Sequence, residues 1–196
     1  MDVQHKTYLT PEQYLAIERR AETKSEYLDG EMFAMSGASR NHNLIVVNLA
    51  REISSQLRNR PCEAYSTEQR VRILVTGLYT YPDVVVVCGE PQFEDEELDT
   101  LLNPTLLIEV LFSSTETYDR GKKFEHYQTL PSLSEYVLVS QTEPRIEQFL
   151  RQERNRWLLT TATGIEARID LPSIQCELAL AEVYLKVAFD AGTNGT

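Results

Sequence analysis

The sequence has few cysteines, and their spacing excludes the usual structural roles of this residue. Among 196 residues there are three, Cys62, Cys88 and Cys176, with wide gaps and no Cys-x-x-Cys pair. Structural zinc sites need closely spaced cysteine pairs, and disulfide frameworks are typical of small secreted domains. The pattern therefore predicts three reduced, mostly buried thiols and no structural zinc.

Long apolar segments are also lacking. No apolar run approaches the roughly 18 residues that a membrane-spanning helix requires, and residues 1–10 lack the apolar centre of a signal peptide. We therefore expect a cytoplasmic protein without a membrane partner. The sequence contains no glycine-rich phosphate loop and no serine nucleophile elbow, which argues against a P-loop nucleotidase or a serine hydrolase.

Basic residues are in deficit. The 19 Lys and Arg against 30 Asp and Glu give a net charge of −11. Such a balance argues against electrostatic capture of nucleic acid by a broad basic face, although a local basic groove is compatible with it. The acids concentrate in the segment 89–103, which we interpret as a solvated loop.

The length predicts one domain over residues 1–196, with a core from about 10 to 187 and a frayed tail at 190–196. Thr10 and Gln13 form a capping box that begins the first helix, and Asp29-Gly30 predicts a hairpin turn within 26–35. Further helices are predicted at 42–58, 118–130 and 178–187, and strands at 62–66, 69–75, 81–88, 105–111, 135–139, 145–151, 156–161 and 165–171. This order predicts an α/β (α+β) fold with a mixed central sheet flanked by helices.

Two of the most apolar predicted strands each carry one carboxylate. Asp83 follows Pro82 at the start of a run of valines, and Glu109 interrupts the run 106–111. An ionised carboxylate inside a core is costly unless it is paired, hydrogen-bonded or bound to a metal. Alone, Asp83 is equally compatible with a strand-start residue and Glu109 with a structural ion pair. Together they predict a shared Mg²⁺ site, with Mn²⁺ as an alternative ion.

A lysine on the following helix completes the pattern. At about 100° per residue, Lys123 shares the apolar face with Asp119 and Tyr127, whereas Lys122 points about a quarter turn away. Phosphodiester hydrolysis uses a bound metal to activate water and a cation to stabilise charge on the phosphate. Asp83, Glu109 and Lys123 are therefore the predicted catalytic residues. The alternative for Lys123 is a stem packed on the core with its ammonium in water.

Three further residues are candidates for accessory roles. Glu26 and Glu31 lie on the predicted hairpin, where either can supply a third carboxylate or remain a solvated strand residue. His42 begins the longest predicted helix, whose dipole favours the neutral imidazole. It can accept a proton or contact phosphate, or it can make only local hydrogen bonds at the helix terminus.

The ordered set of motifs resembles the Uma2 (DUF820) family of the PD-(D/E)xK restriction-endonuclease-like superfamily. Each motif is short, and their order from about Thr10 to Val187 carries the resemblance. The motifs are residues 26–31, His42, 81–86, 103–104, 109–111, 114–115, 118–121 with Lys123 and Tyr127, 135–139, 171–172 and 180–182.

The resemblance implies a restriction-endonuclease-like core with extra β-hairpins, and an endonuclease that cuts DNA with Mg²⁺. Pro82-Asp83 and Glu109 match the superfamily's acidic residues, whereas its usual lysine position is Leu111. The resemblance implies that this lysine has migrated to Lys123, in agreement with the helical geometry. Two departures lie outside the proposed ligands, at Phe112-Ser113 and Ser140. Nucleases of this kind often cut both strands, which favours a homodimer.

Three hypotheses follow from the sequence. The first is a Mg²⁺-dependent DNA endonuclease. The second is a non-catalytic nucleic-acid-binding or regulatory module on the same fold, motivated by the acidic charge and by Leu111 in the lysine position. The third is a partner-binding structural protein that uses the acidic segment 94–99.

Overall fold

The structure is a computed structural model that describes residues 8–35 and 37–189. The predicted frayed tail, residues 190–196, lies outside this range. A six-stranded sheet has the order β11-β10-β9-β8-β6-β3, and a five-stranded sheet has the order β2-β1-β5-β4-β7. A small third sheet pairs β12 with β13. The strands are β1 (Ser25–Leu28), β2 (Glu31–Ala34), β3 (Cys62–Ser66), β4 (Arg70–Ile73), β5 (Leu78–Thr80), β6 (Val84–Cys88), β7 (Thr100–Leu101), β8 (Leu106–Leu111), β9 (Glu135–Ser140), β10 (Arg145–Gln152), β11 (Arg156–Thr163), β12 (Arg168–Leu171) and β13 (Cys176–Ala179).

Helices cover both faces of the six-stranded sheet. The α-helices are α1 (Pro11–Glu18), α2 (Arg40–Leu57), α3 (Glu116–Tyr118), α4 (Phe124–Gln128) and α5 (Leu180–Val183), and a π-helical turn (Asp119–Lys123) joins α3 to α4. None of the described helices is long and apolar enough to cross a membrane. Both large sheets combine parallel and antiparallel pairs, with β8 parallel to β9 and β4 parallel to β7. The predicted α/β (α+β) class with a mixed sheet and extra hairpins is confirmed.

Two apolar cores lie on opposite faces of the six-stranded sheet. On one face, the stripe Ile45, Leu49, Ile53 and Leu57 of α2 packs on alternate strand residues such as Val84. On the other face, α4 and the five-stranded sheet bury the residues of opposite parity, such as Val85 and Leu107. Because side chains alternate along a strand, Asp83 and Glu109 belong to this second face.

The largest differences between the predicted and the observed elements lie before β6 and near the C-terminus. The chain forms β5 in the five-stranded sheet before it crosses to β6 in the six-stranded sheet, so the predicted strand 81–88 begins only at Val84. Near the C-terminus, Leu178 pairs with Ile169 in β13, and the helix predicted at 178–187 is limited to Leu180–Val183. Residues 176–179 alternate between buried and partly exposed, which is the period of a strand.

The acidic segment 89–103 is more ordered than a solvated loop. It contains β7, and Glu94 forms an ion pair with Arg72. Asp99 lies 2.8 Å from both Arg19 and the buried Arg70. These pairs attach the segment to α1 and β4, so part of the chain's acidic charge is already neutralised locally.

Cys62 and Cys88 form a disulfide that joins β3 to β6, with Cα atoms 4.0 Å apart. The prediction of three reduced thiols is therefore wrong for these two residues, whereas Cys176 is a buried free thiol. The two cysteines face each other because the antiparallel register pairs their positions. Their spacing along the chain does not reveal this register, and so the sequence reading missed the bond.

We expect the double variant Cys62→Ser/Cys88→Ser to unfold more readily than the oxidised protein. The bond spans a sequence separation of 26 residues, and closing a loop of this size stabilises by about 3 kcal/mol through the unfolded chain. Urea denaturation with and without dithiothreitol measures the loss. The reductant should shift the wild type by a similar amount and leave the double variant unchanged. Three titratable thiols in the denatured, unreduced wild type would contradict the disulfide.

Candidate active site

The crossover between the two large sheets brings Asp83 beside Glu109. Val84 pairs with Ile108 across β6 and β8, so the next residues outward along this register are Asp83 and Glu109. Asp83 Oδ2 accepts a hydrogen bond of 2.7 Å from the backbone N–H of Val110. Both carboxylates are buried. The pairing of the strands therefore produces the adjacency that the sequence predicted.

Lys123 lies at the centre of a cluster of carboxylates. Its Nζ is 3.0 Å from Glu109 Oε1 and 3.0 Å from Glu26 Oε1. Asp119 Oδ1, one turn earlier on the same helix, is 3.6 Å away. Lys123 is buried, whereas Lys122 is exposed, as the helical phase predicted. The π-helical turn Asp119–Lys123 forms this part of the helix, and such turns are frequent at functional sites.

Burial and neighbouring charges act in opposite directions on the central ion pair. Burial raises the pKa of Glu109, and Lys123 opposes this shift. The charges of Asp119 and Asp83 add to the effect of burial. Burial disfavours the ammonium form of Lys123, but the carboxylates of Glu109, Glu26 and Asp119 outweigh it and raise its pKa above the usual value. Lys123 therefore remains a cation at neutral pH, whereas burial raises the pKa of Glu109 to about 8.

Hydroxyl groups fix two of the carboxylates. The Tyr127 hydroxyl donates a 2.7 Å hydrogen bond to Glu109 Oε1, and Thr80 donates to Glu26 Oε1. The sequence reading assigned no role to Tyr127, Thr80 or Asp119. Asp119 and Tyr127 lie on the same predicted helical face as Lys123, and this shared face could have identified them as site residues. The contact between Thr80 and Glu26 could be predicted only from the pairing of β1 with β5, which local sequence does not reveal.

We expect Tyr127→Phe to destabilise the protein by about 1–2 kcal/mol, because it leaves a buried carboxylate oxygen with one hydrogen bond fewer. The control is Tyr8→Phe, since Tyr8 is exposed and lies outside the cluster. Urea denaturation of both variants measures the difference. Equal stability of the two variants would show that the Tyr127–Glu109 bond contributes nothing.

His42 reaches Asp83 from the opposite side of the cluster. Its Nε2 lies 3.1 Å from Asp83 Oδ1, and its ring stacks on Phe112 with centroids 4.7 Å apart. The Ser39 hydroxyl at the N-cap of α2 accepts a hydrogen bond from the backbone N–H of His42. The other ring nitrogen, Nδ1, is buried without a hydrogen-bond partner in the described structure. His42 therefore contacts a predicted site residue directly.

The two acidic candidates on the β1–β2 hairpin occupy different positions. Glu26 is part of the Lys123 cluster. Glu31 pairs with Leu28 next to the hairpin turn. Leu28 and Glu26 lie two residues apart on β1, so Glu31 is on the same face of the hairpin as Glu26 but nearer to the turn. Glu26 contacts Lys123 directly, and the accessory role of Glu31 stays a prediction.

The chemistry of the cluster fits a divalent cation. The described residues contain no group of three or more His, Cys, Asp or Glu side chains already spaced to hold a metal ion. Nevertheless, Glu26, Glu109 and Asp119 converge on one buried ammonium, and Asp83 lies beside Glu109. Carboxylate oxygens are the ligands that Mg²⁺ prefers, with waters and substrate completing its shell. The residues present therefore suit such an ion.

Comparisons with known proteins agree with the motif set. The family model Uma2, described as "Putative restriction endonuclease", matches residues 11–183. The uncharacterized protein sll1609 of Synechocystis sp. is 38% identical over 162 residues, covering 83% of this chain and 92% of its own. The uncharacterized protein slr1290 of the same organism is 37% identical over 181 residues, covering 92% of this chain and 94% of its own.

A solved structure shares the fold. It is described as a "putative nuclease belonging to DUF820" from Anabaena variabilis, and it superimposes with a TM-score of 0.71. The match covers 90% of this chain and 97% of that chain at 19% sequence identity. The similarity at this identity concerns the fold, which is the fold predicted from the sequence.

Proposed function

The chain belongs to the Uma2 family, and from this premise we propose that it is a metal-dependent endonuclease that hydrolyses phosphodiester bonds of DNA. Membership confirms the resemblance predicted from the motifs. The descriptions of the family and of the structural neighbour both support a nuclease acting on nucleic acid. We further propose Mg²⁺ or Mn²⁺ as the ion and DNA as the substrate.

One observation carries the proposal: a buried lysine lies within ion-pair distance of three carboxylates, and a fourth carboxylate, Asp83, lies beside Glu109 immediately before β6. A structural ion pair needs one acid for one base. This excess of acidic groups costs free energy in the metal-free protein, because like charges and burial both oppose ionisation. An additional cation would remove that cost.

Asp83 and Glu109 are the residues that would hold Mg²⁺ or Mn²⁺. The bound ion would polarise a phosphate oxygen and lower the pKa of a coordinated water. Val110 fixes the Asp83 carboxylate through its backbone N–H, and Tyr127 fixes the Glu109 carboxylate through its hydroxyl. These bonds leave further carboxylate lone pairs available for an ion.

Lys123 has the chemistry to stabilise charge that develops on the scissile phosphate. It remains protonated, and it is anchored between Glu26 and Asp119 as well as Glu109. A preorganised cation in a site that excludes water stabilises a transition state more than a solvated one does. We assign His42 the task of orienting Asp83, from which its Nε2 is 3.1 Å away.

The direct test is cleavage of supercoiled plasmid DNA with Mg²⁺, with Mn²⁺ and with EDTA. We expect cleavage that requires a divalent ion and that is lost in Glu109→Gln. The matched control is Glu166→Gln, which changes an exposed acid outside the cluster. Linear single-stranded DNA and RNA of the same sequence identify the preferred substrate. No cleavage of any nucleic acid with either ion would overturn the catalytic proposal.

The second candidate is a non-catalytic nucleic-acid-binding module on the same fold. Leu111 in place of the usual lysine favours it. Salt-sensitive binding of DNA without metal-dependent cleavage would support this module. The homodimer and the cytoplasmic location stay predictions from the sequence.

A further inference from the structure

A groove of about 470 Å³ lies beside the candidate site, at the N-terminus of α2. Its walls come from that helix terminus, from the loops after β8 and β9, and from the segment after α5. The lining includes Ser39, Arg40, Asn41, Phe112, Gln141 and Phe189. Its volume lies in the range of sites that bind small ligands, about 300–1,000 Å³.

Phe112 connects this groove to the catalytic cluster. Its ring lines the groove and also stacks on His42, whose Nε2 is 3.1 Å from Asp83. Phe112 also follows Glu109 by three residues at the end of β8. A polymer whose reacting group lies at Asp83 and Glu109 would therefore have its adjacent unit at this groove.

The charge of the groove differs from that of the whole chain. The protein carries a net charge of −11, yet no Asp or Glu is among the residues that line the groove in the described structure. Arg40 is exposed and has neither an ion pair nor a hydrogen bond within the described ranges. Its guanidinium is therefore available to a phosphate, which it can bind through two parallel hydrogen bonds.

The walls are held in place by side-chain hydrogen bonds. Ser39 donates to Gln141 Oε1 at 2.7 Å, and Gln141 Nε2 donates to the backbone carbonyl of Leu111 at 2.7 Å. Asn41 Nδ2 donates to the carbonyl of Ala188 at 2.8 Å. These bonds link the four segments that form the groove, so its shape exists before a ligand arrives. Half-buried Phe112 and Phe189 add aromatic surface on which a base can stack.

We propose that this groove binds one nucleotide of the substrate strand next to the bond that is cut. Arg40 contacts its phosphate, and Phe112 contacts its base. The inference rests on the proposed nuclease function and adds the surface that positions the strand. A single aromatic contact tolerates any base, so the groove contributes affinity and position more than sequence specificity.

The test is binding of a fluorescein-labelled DNA duplex and of its single strand, measured by fluorescence anisotropy in EDTA. We expect Arg40→Ala to bind about tenfold more weakly, with the salt dependence of log Kd reduced by about one. The matched control is Arg58→Ala, an exposed arginine at the opposite end of α2. It should bind within twofold of the wild type. Phe112→Leu should weaken binding about tenfold through lost stacking.

Photocrosslinking provides a measurement that does not depend on variant folding. A bromodeoxyuridine oligonucleotide bound to the wild type should crosslink to the peptide that contains Phe112. Crosslinks confined to other peptides, or equal losses in Arg40→Ala and Arg58→Ala, would overturn the groove assignment. If the wild type cuts DNA and the Arg40→Ala and Phe112→Leu variants bind DNA normally, the groove assignment is wrong but the nuclease function is supported. If the wild type neither binds nor cuts nucleic acid, both proposals fail.

Discussion

Lys123→Met is expected to abolish cleavage and to destabilise the metal-free protein, whereas Lys122→Met should leave both properties close to those of the wild type. Lys123 is the buried cation among Glu26, Glu109 and Asp119. Methionine keeps much of the side-chain volume but removes the charge and the three N–H donors of the ammonium. Removing one partner of a buried ion pair costs about 3 kcal/mol, because the remaining charges lose their compensation. Lys122 is exposed, and its loss should cost less than about 0.5 kcal/mol.

The cleavage rate should fall at least about 100-fold in Lys123→Met, which is the usual effect of removing one preorganised group that stabilises a transition state. Plasmid cleavage and urea denaturation of the two variants measure both effects. Mg²⁺ should recover part of the stability of Lys123→Met, because a divalent ion can occupy the space among the same carboxylates. Equal losses in the Lys122 and Lys123 variants would show that the helix is phased incorrectly.

The position of Lys123 was predictable because helical periodicity depends only on local sequence. Asp119, Lys123 and Tyr127 follow each other at intervals of four, and this phase persists across the π-helical turn. Asp83 and Glu109 were predictable for a different reason. Asp83 begins an apolar run and Glu109 interrupts one, and a buried carboxylate is expected only where a partner compensates for its burial.

Glu26 was a candidate from the sequence, but its contact with Lys123, like the disulfide, depends on pairing between distant segments. Glu26 reaches Lys123 because β1 pairs with β5 in the five-stranded sheet, which packs against the six-stranded sheet. The disulfide between Cys62 and Cys88 depends on the register of β3 against β6. A shift of register by one residue would turn each side chain to the other face, so such contacts require the assembled sheets.

Asp83→Asn should remove the response of the protein to divalent ions while changing the metal-free stability by less than about 1 kcal/mol. The asparagine carbonyl can still accept the hydrogen bond from the Val110 N–H. Its amide would then face His42 Nε2, which can accept a hydrogen bond when the imidazole proton is on Nδ1. The negative charge of Asp83 also contributes to the raised pKa values of Glu109 and Asp119, although burial is the largest cause for both. Removing that charge relieves part of the repulsion and favours a small stabilisation.

Mg²⁺ should raise the melting temperature of the wild type by about 8 °C at an ion concentration 100 times Kd, since such binding contributes about 2.7 kcal/mol. Asp83→Asn should show no such shift and no cleavage. The matched control is Asp170→Asn, which changes an exposed aspartate whose carboxylate has no hydrogen bond or ion pair among residues 8–35 and 37–189, and which should retain both the shift and the cleavage. Thermal melting of the three proteins in EDTA, in Mg²⁺ and in Mn²⁺ separates the effect of each substitution on metal-free stability from its effect on ion binding. A shift in melting temperature that persists in Asp83→Asn would show that this residue is not a metal ligand. If neither ion shifts the melting temperature of the wild type, Asp83 is only a structural hydrogen-bond acceptor for the Val110 N–H.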